Sequence, residues 1–484
     1  MQKHPGLTIA RIDRFLRNEL TPLLWQDPAP LSAEVARPPK GIAPADAAKL
    51  DYAPVTPGFA WGPIWSDAWF RLSGSVPAAW AGGTVLARID CGAESILWDG
   101  DDPLQGIDGN HADFLISASA EAGAAVQLTI QATGMNPNVS CDAPPVEPGP
   151  TPFTFRCAEI AQIDPEVWGL HRDVKVCLGL LHEMPETSPR RGALLYGLNE
   201  VVNQFVAGDA ESVARCRAGL AALLSAPATA TAHDISAIGH AHIDTAWLWP
   251  LERTRQKCIH TFATATRLMD VYPDYKFVCS QAQQYEWIQE MAPKLFERIK
   301  AKIATGQWEV AGSMWVEADC NITGGESLVR QVLYGKRFFM QELGVETRDL
   351  WLPDVFGYAA SLPQILQTAG VDRFLTQKIS WNQTNKFPHH TFYWQGIDGT
   401  RIFTHFPPAD TYNGDMSPRE LAFNVRNFRD HDRSSRSLYV FGYGDGGGGP
   451  TIEMLENAAR LGNTEGLPRV QLERACDFFE KAMA

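Results

Sequence analysis

Between Thr8 and Trp25, the residues Ile9, Ile12, Phe15, Leu16, Leu20, Leu23 and Leu24 recur three and four positions apart. That spacing places them on one face of an amphipathic helix. A Pro- and Ala-rich connector follows through Pro54, so a helix and connector occupy 1–58. From about Phe59 to Leu181 the texture changes. Runs such as Trp69–Leu72, Thr84–Ile89 and Val126–Ile130 are broken by Gly, Pro, Asn and Asp, which predicts an all-β sandwich over 59–185. The stretch Ala143–Pro150 reads as a loop within it. Helical spacing returns over Leu194–Phe205 and Glu211–Leu224, and with the linker Ser225–Ala232 it forms a helical segment over 186–232.

From His233 onward the two patterns alternate. Ile235–Gly239, Lys276–Ser280, Trp308–Gly312, Asp349–Pro353, Arg373–Gln377, Arg401–His405 and Leu438–Gly442 read as strands, with helical patterns such as Glu286–Thr305 and Leu328–Leu343 between them. Alternation of this kind implies a parallel sheet. About seven units without a dinucleotide fingerprint favour a barrel over a doubly wound sheet. The predicted fold is multidomain: an N-terminal all-β sandwich, then an α/β, (β/α)7 barrel-like catalytic domain over 233–484.

Barrel chemistry sits where strands end, and here those positions carry ionisable and aromatic residues. The first strand runs into Gly239-His240-Ala241-His242-Ile243-Asp244-Thr245-Ala246-Trp247-Leu248-Trp249-Pro250. In an extended segment residues two apart point the same way, so His242 and Asp244 present an imidazole and a carboxylate together. That pair suits a divalent metal of the zinc type, and Trp247 suits the apolar face of a sugar ring. Further strand ends bring Gln281, then Glu317 and Asp319, then Asp354, then Lys378 with Trp381, Asn382 and Gln383, then His405. The last runs into Gly442–Pro450, which contains Asp445.

Each residue also has a structural reading. His242 and Asp244 can be a hydrogen-bonded pair, Asp354 a turn residue, and Asp445 the closure of a loop. The run Gly446–Gly449 lacks the Lys-Ser/Thr ending of a phosphate loop. His389 and His390, with Phe392, Tyr393 and Trp394, fit a strand edge.

Composition narrows the classes. Forty-two Lys and Arg against 56 Asp and Glu give a net charge of −14, which argues against a nucleic-acid or anionic-membrane partner. No window of 18 uninterrupted apolar residues appears, so no membrane span is expected. Nine scattered cysteines without a CxxC pair argue against a disulfide framework. No apolar signal region follows the first charges, and the expected location is cytoplasmic. Fifteen tryptophans fit carbohydrate handling, though sandwich cores use tryptophan as well.

Taken together, GHAHIDTAWLWP, GSMWVEADCNITGGESLVRQ, WLPDVFGYAASLPQIL, KISWNQTNKFPHHTFYWQGIDGTRIFTHFPP and GYGDGGGGPT resemble the family 38 glycoside hydrolases, the class II α-mannosidases, in their cytosolic and bacterial branch. WSDAWFRLSG and the β-rich region after it are similar to that branch's N-terminal sandwich. The resemblance implies a retaining exo-α-mannosidase that removes terminal α-linked mannose from oligosaccharides, with Zn2+ or another divalent metal such as Co2+ on the barrel floor. It implies His242, Asp244 and Asp354 as metal ligands and Asp354 as nucleophile. Asp445 would be the acid/base, Trp247 would lie under the sugar, and Glu317 and Asp319 would accept sugar hydroxyls. The implied partner is a mannoside or oligosaccharide, with a homo-oligomer left open.

One departure stands out. The family's further metal ligand, a histidine in a His-Asp motif beyond the glycine-rich loop, has no match between Thr451 and Ala484. The resemblance therefore reads 233–484 as C-terminally incomplete, with weakened metal affinity, and leaves activity of this chain alone open. Two alternatives stand beside the enzyme: a catalytically impaired mannose- or glycan-binding protein, and a metal-dependent carbohydrate deacetylase.

Overall fold

The computed structural model describes residues 4–38, 41–135 and 149–484. Most of the loop read over Ala143–Pro150 lies outside the described residues. The chain opens with a helix over Pro5–Phe15 that continues as a wider turn over Leu16–Leu20. Pro at the first helical position starts it earlier than the apolar spacing alone predicts.

Two antiparallel sheets follow. One has six strands in the order Ala53–Val55, Ser32–Ala36, Asp67–Ser75, Ala125–Thr133, Ser95–Asp99, Asp102–Ile107. The other has four, in the order Ala29–Pro30, Cys157–Ile163, Thr84–Asp90, Asp113–Ser117. The predicted sandwich is present, but its bounds of 59–185 need correction at both ends. The stretch read as connector supplies Ser32–Ala36 to the larger sheet, pairing with Asp67–Ser75. At the other end, 165–183 is a helix, Pro165–Glu183, capped by the Asp164 side chain. Its many buried residues leave little amphipathic contrast to separate it from the strands before it.

Strand alternation explains how the larger sheet is covered on both sides. Phe70, Leu97 and Ile130 face the space between the sheets with Trp61 and Phe155. Trp69, Ile96 and Trp98 face the other way, into a core shared with Phe262, Tyr285 and Trp308. Each such aromatic removed from water contributes roughly 2–3 kcal/mol, so the sandwich and the following domain are held by one apolar layer. Within that junction Arg253, fully buried, donates to Asp67 Oδ1 and Gln256 Oε1 at 2.6 Å and to the Trp65 carbonyl.

All seven predicted strands are present, each within two residues of the predicted bounds, and they are parallel. They do not close into one ladder. One sheet has the order Trp308–Val310, Phe277–Cys279, Asp234–His240, Arg436–Phe441, with Arg469–Leu472 also pairing the Asp234–His240 strand. The other has the order Asp349–Trp351, Arg373–Leu375, Arg401–His405, Thr391–Gln395. The last of these is antiparallel and was not predicted as a strand of the barrel. Side chains bridge the two gaps: Asp349 Oδ2 accepts from the Gly312 amide at 3.0 Å, and His405 Nε2 from the Leu438 amide at 3.2 Å.

The helix predicted over Glu286–Thr305 is two, Ala282–Met291 and Pro293–Ala304. Pro293 excludes helical geometry at Ala292, which sits at φ −142°. No helix among the described residues is long and apolar enough to cross a membrane.

Candidate active site

The strand Asp234–His240 is buried on both faces, so its backbone is fixed up to the point where His242 and Asp244 emerge. His240 is not part of the cluster that follows. Its Nε2 accepts from Trp351 Nε1 at 3.2 Å, and burial pulls its imidazole down to about 3. The segment after it is clamped by two glutamines. Gln281 Nε2 and Gln284 Nε2 both donate to the Ile243 carbonyl, at 3.0 and 2.8 Å, and Gln281 Oε1 accepts from Thr245 Oγ1 at 3.0 Å. Gln281, Ser313 and Asp445 all have left-handed backbones, with φ of 69°, 55° and 56°. Strain of roughly 1–3 kcal/mol per residue persists only where the surroundings enforce it, and all three lie at strand ends.

His242 Nε2 lies 3.4 Å from Asp244 Oδ1 and 3.2 Å from Asp354 Oδ2. On the other edge of the ring, Nδ1 lies 3.2 Å from Glu317 Oε2. Burial alone would push this imidazole down. The Glu317 carboxylate, joined by Asp244 and Asp354, more than reverses that and holds it well above the usual range. Burial likewise pushes the Asp354 carboxyl up, but His242 and Lys378 hold it below its ordinary value. Lys378 Nζ sits 2.7 Å from Asp354 Oδ1 and 3.3 Å from the centre of the Trp381 ring.

Tyr412, in the loop after the sixth strand, completes the group. Its hydroxyl lies 3.1 Å from Asp354 Oδ2 and 2.9 Å from Asp445 Oδ1. Asn413 steadies the same loop, accepting from the Gly444 amide at 2.7 Å. Neither residue stood out in the sequence, because both follow His405 at a distance in an irregular segment.

The site residues read from sequence therefore divide. His242, Asp244, Asp354 and Asp445 each offer one donor atom within 4.8 Å of the others. Glu317 is close, but behind His242: Ser280 Oγ donates to its Oε1 at 2.6 Å while its Oε2 faces Nδ1. Its expected contact is with sugar; the contact present is with the ring of His242. Asp319 is exposed, and its Oδ1 accepts from the Asn321 and Ile322 amides at 2.9 Å. It closes a turn and is not brought to the cluster. Trp247 stands on the rim, 42% exposed, edge-on to Trp249 at 5.3 Å. His405 and His390 are buried, whereas His389 is partly exposed; the His389 ring and the His390 amide both bind Asp430.

The donor set fits a cation. Neither nitrogen of His242 makes a hydrogen bond of acceptable geometry, although three carboxylates surround it. A buried imidazole nitrogen without a partner, aimed at carboxylate oxygens, is what a divalent ion would satisfy. Glu317 on Nδ1 would fix the tautomer that leaves Nε2 free to bind.

Residues 232–484 match the model of the glycosyl hydrolases family 38 N-terminal domain. The chain belongs to glycosyl hydrolase family 38. Residues 29–161 match an alpha-mannosidase jelly roll domain, which is the two-sheet sandwich. Curated relatives of this family 38 chain include alpha-mannosidase G of Dictyostelium discoideum, 35% identical over 99% of this chain and 46% of the relative. Alpha-mannosidase 2C1 of Mus musculus is 37% identical over 99% of this chain and 47% of its own length. The alpha-mannosidase of Saccharomyces cerevisiae is 34% identical over 86% of this chain and 41% of that protein. The chain thus spans about half the length of the curated relatives it matches.

Proposed function

We propose that this chain carries the catalytic centre of a retaining exo-α-mannosidase, acting on terminal α-linked mannose of oligosaccharides. The observation that supports this most is the pairing of Asp354 and Asp445 across one tyrosine hydroxyl, with donor oxygens within 4.8 Å. Retaining glycosidases hold their two carboxyl groups about 5–5.5 Å apart, whereas inverting ones leave room for water at about 6.5–9.5 Å.

A single hydroxyl proton cannot serve two carboxylates at once. The Tyr412 hydroxyl faces both, toward Asp354 Oδ2 at 3.1 Å and Asp445 Oδ1 at 2.9 Å, and in this reading it links the nucleophile to the acid/base. The lowered carboxyl of Asp354 supports it as the nucleophile and leaves Asp445 as the acid/base. Asp354, held anionic by His242 and Lys378, attacks the anomeric carbon while the bond to the leaving oxygen breaks and Asp445 gives that oxygen its proton. Water then attacks the same carbon, returns a proton to Asp445 and frees Asp354. A divalent ion, Zn2+ or a substitute such as Co2+, would be held by His242, Asp244 and Asp354 and would supply Lewis-acid contact to sugar hydroxyls. Trp247 on the rim offers an indole face to the ring.

The test is hydrolysis of an aryl α-mannoside with and without added Zn2+ or Co2+, following the anomer first released by NMR. The α anomer is expected. The β anomer, or acetate release from an acetylated sugar without mannoside cleavage, would overturn the proposal.

A further inference from the structure

The glycine-rich loop that carries Asp445 is held from outside its own domain. His111, in the jelly-roll domain, has Nε2 3.0 Å from the Pro450 carbonyl. Asn110 Nδ2 donates to the Gly447 carbonyl at 3.1 Å. Behind them Asp108 fixes the ring: His111 Nδ1 lies 3.1 Å from both of its carboxylate oxygens, and Asp108 also accepts from the amides of Asn110 and His111, at 2.6 and 2.9 Å. His260 Nε2, from the helix Leu251–Val271, lies 3.2 Å from Asp108 Oδ2.

A carbonyl has no proton to give, and neither has an ionised carboxylate. His111 therefore donates from both nitrogens and links Asp108 to Pro450 as a charged bridge.

The glycines record the same approach. A Cβ at Gly448 would lie 2.6 Å from Asp108 Oδ2 and 2.8 Å from the His111 ring. One at Gly446 would lie 2.5 Å from Lys257 Nζ, which is itself paired with Glu94 of the jelly roll at 2.5 Å. Both glycines have φ near +80°, at 79° and 85°. At Gly448 the jelly-roll side chains Asp108 and His111 leave no room for a Cβ, and at Gly446 Lys257 of the helix Leu251–Val271 leaves none.

We infer that Asn110 and His111 are positioning residues of the active site: the jelly-roll loop Asp108–His111 holds the Gly446–Pro450 loop and so sets where Asp445 meets Tyr412. The chemical part of this inference rests on the acid/base role proposed for Asp445; the anchoring part does not. The domain that carries no catalytic residue thus completes the site.

Hydrogen exchange reads the anchoring directly, because the Tyr443 and Gly449 amides are bonded across the loop to the Gly449 and Tyr443 carbonyls at 3.0 and 2.8 Å. In His111→Ala, exchange at these two amides is expected to rise at least about tenfold, the scale of one lost charged hydrogen bond, with the strand Asp234–His240 unchanged. His111→Gln, which can still donate to Pro450, is expected to restore most of the protection. Should His111→Ala loosen the whole jelly roll, Asn110→Ala decides, since that side chain is exposed and its loss leaves the packing intact.

Turnover gives the second readout. Methyl α-mannoside, which needs a proton donor, is expected to lose at least about tenfold in kcat in His111→Ala, and dinitrophenyl α-mannoside much less. Unchanged exchange in both variants would overturn the inference. So would faster loop exchange with full turnover of both mannosides. If the parent protein cleaves neither sugar while the exchange pattern holds, the function reading fails and the anchoring stands.

Discussion

Replacing Glu317 by Gln isolates what a carboxylate behind a metal-binding imidazole contributes. The side chain is 6% exposed, faces His242 Nδ1 at 3.2 Å and is itself fixed by Ser280 at 2.6 Å. The amide keeps the shape and one acceptor, so packing and the Ser280 bond survive. What is lost is the charge, the strongest of those that hold His242 above its ordinary range against the opposing effect of burial. Loss of a carboxylate partner to a ligating histidine costs about 10- to 100-fold in metal affinity, or about 1.4–2.7 kcal/mol. The assay is competition for Co2+ between the protein and a chelator of known affinity, at pH 7.5, with Asp319→Asn as the comparison. Glu317→Gln is expected to shift the competition midpoint by one to two decades. Asp319→Asn, altering only an exposed turn, is expected to leave it in place. Equal midpoints for Glu317→Gln and the parent protein would refute the claim that Glu317 orients His242 for a metal.

Four further outcomes follow from the same contacts. Arg253→Met removes the buried guanidinium that binds Asp67, Gln256 and the Trp65 carbonyl at the junction of the domains, which should cost at least about 1.5–3 kcal/mol in urea unfolding, the scale of one charged hydrogen bond; a loss below about 1 kcal/mol would contradict that assignment. Burial holds His390 near 4, partly opposed by Asp430, so its contribution to stability is complete above pH 6.5 and is lost as pH falls toward 4. Unfolding at pH 5 should show about 2 kcal/mol less stability than at pH 7 from this residue, a difference that His390→Gln removes. Chelation of bound metal should lower the melting temperature, by the equivalent of about 2.7 kcal/mol where free metal stood at 100 times its dissociation constant; no shift would mean that the cluster holds no ion. Tyr412→Phe removes the hydroxyl that donates to Asp354 and should move the acid limb of the pH–rate profile to higher pH, because the ionised carboxylate loses a hydrogen bond; an unaltered profile would show that Tyr412 does not support the nucleophile.

How far the chain could be read in advance depended on whether a feature was local. The seven strands of the second domain are local: each is a short apolar run bounded by turn residues, and each was found at its predicted place. His242, Asp244, Asp354 and Asp445 were legible for the same reason, since a strand end presents its residues at a fixed period. Closure of the sheet was not legible, because it depends on whether Asp349 and His405 bridge the gaps with side chains or backbone ladders fill them. Tyr412 was missed because its value lies in where an irregular loop returns it, 58 positions from Asp354 in sequence. The spacing of Glu317 marked it as near the site, and the packing of Ser280 shows that one of its oxygens faces the His242 ring. Asp319, at the same strand end, has the composition of a site residue and the geometry of a turn. The helix Pro165–Glu183 was absorbed into the sandwich because its apolar residues lie on more than one face.

The central claim is that Asp354 is the nucleophile of a retaining mannosidase, and it can be caught in the act. The metal-loaded protein would be incubated with a fluorinated α-mannosyl fluoride, whose glycosyl ester turns over slowly, then digested and sequenced by mass spectrometry. The account predicts one hexosyl label, on Asp354 within Trp351-Leu352-Pro353-Asp354-Val355-Phe356-Gly357-Tyr358, absent in Asp354→Asn. A label on Asp445 or Asp244, or hydrolysis of the fluoride with no labelled peptide under conditions that trap a control retaining enzyme, would contradict it.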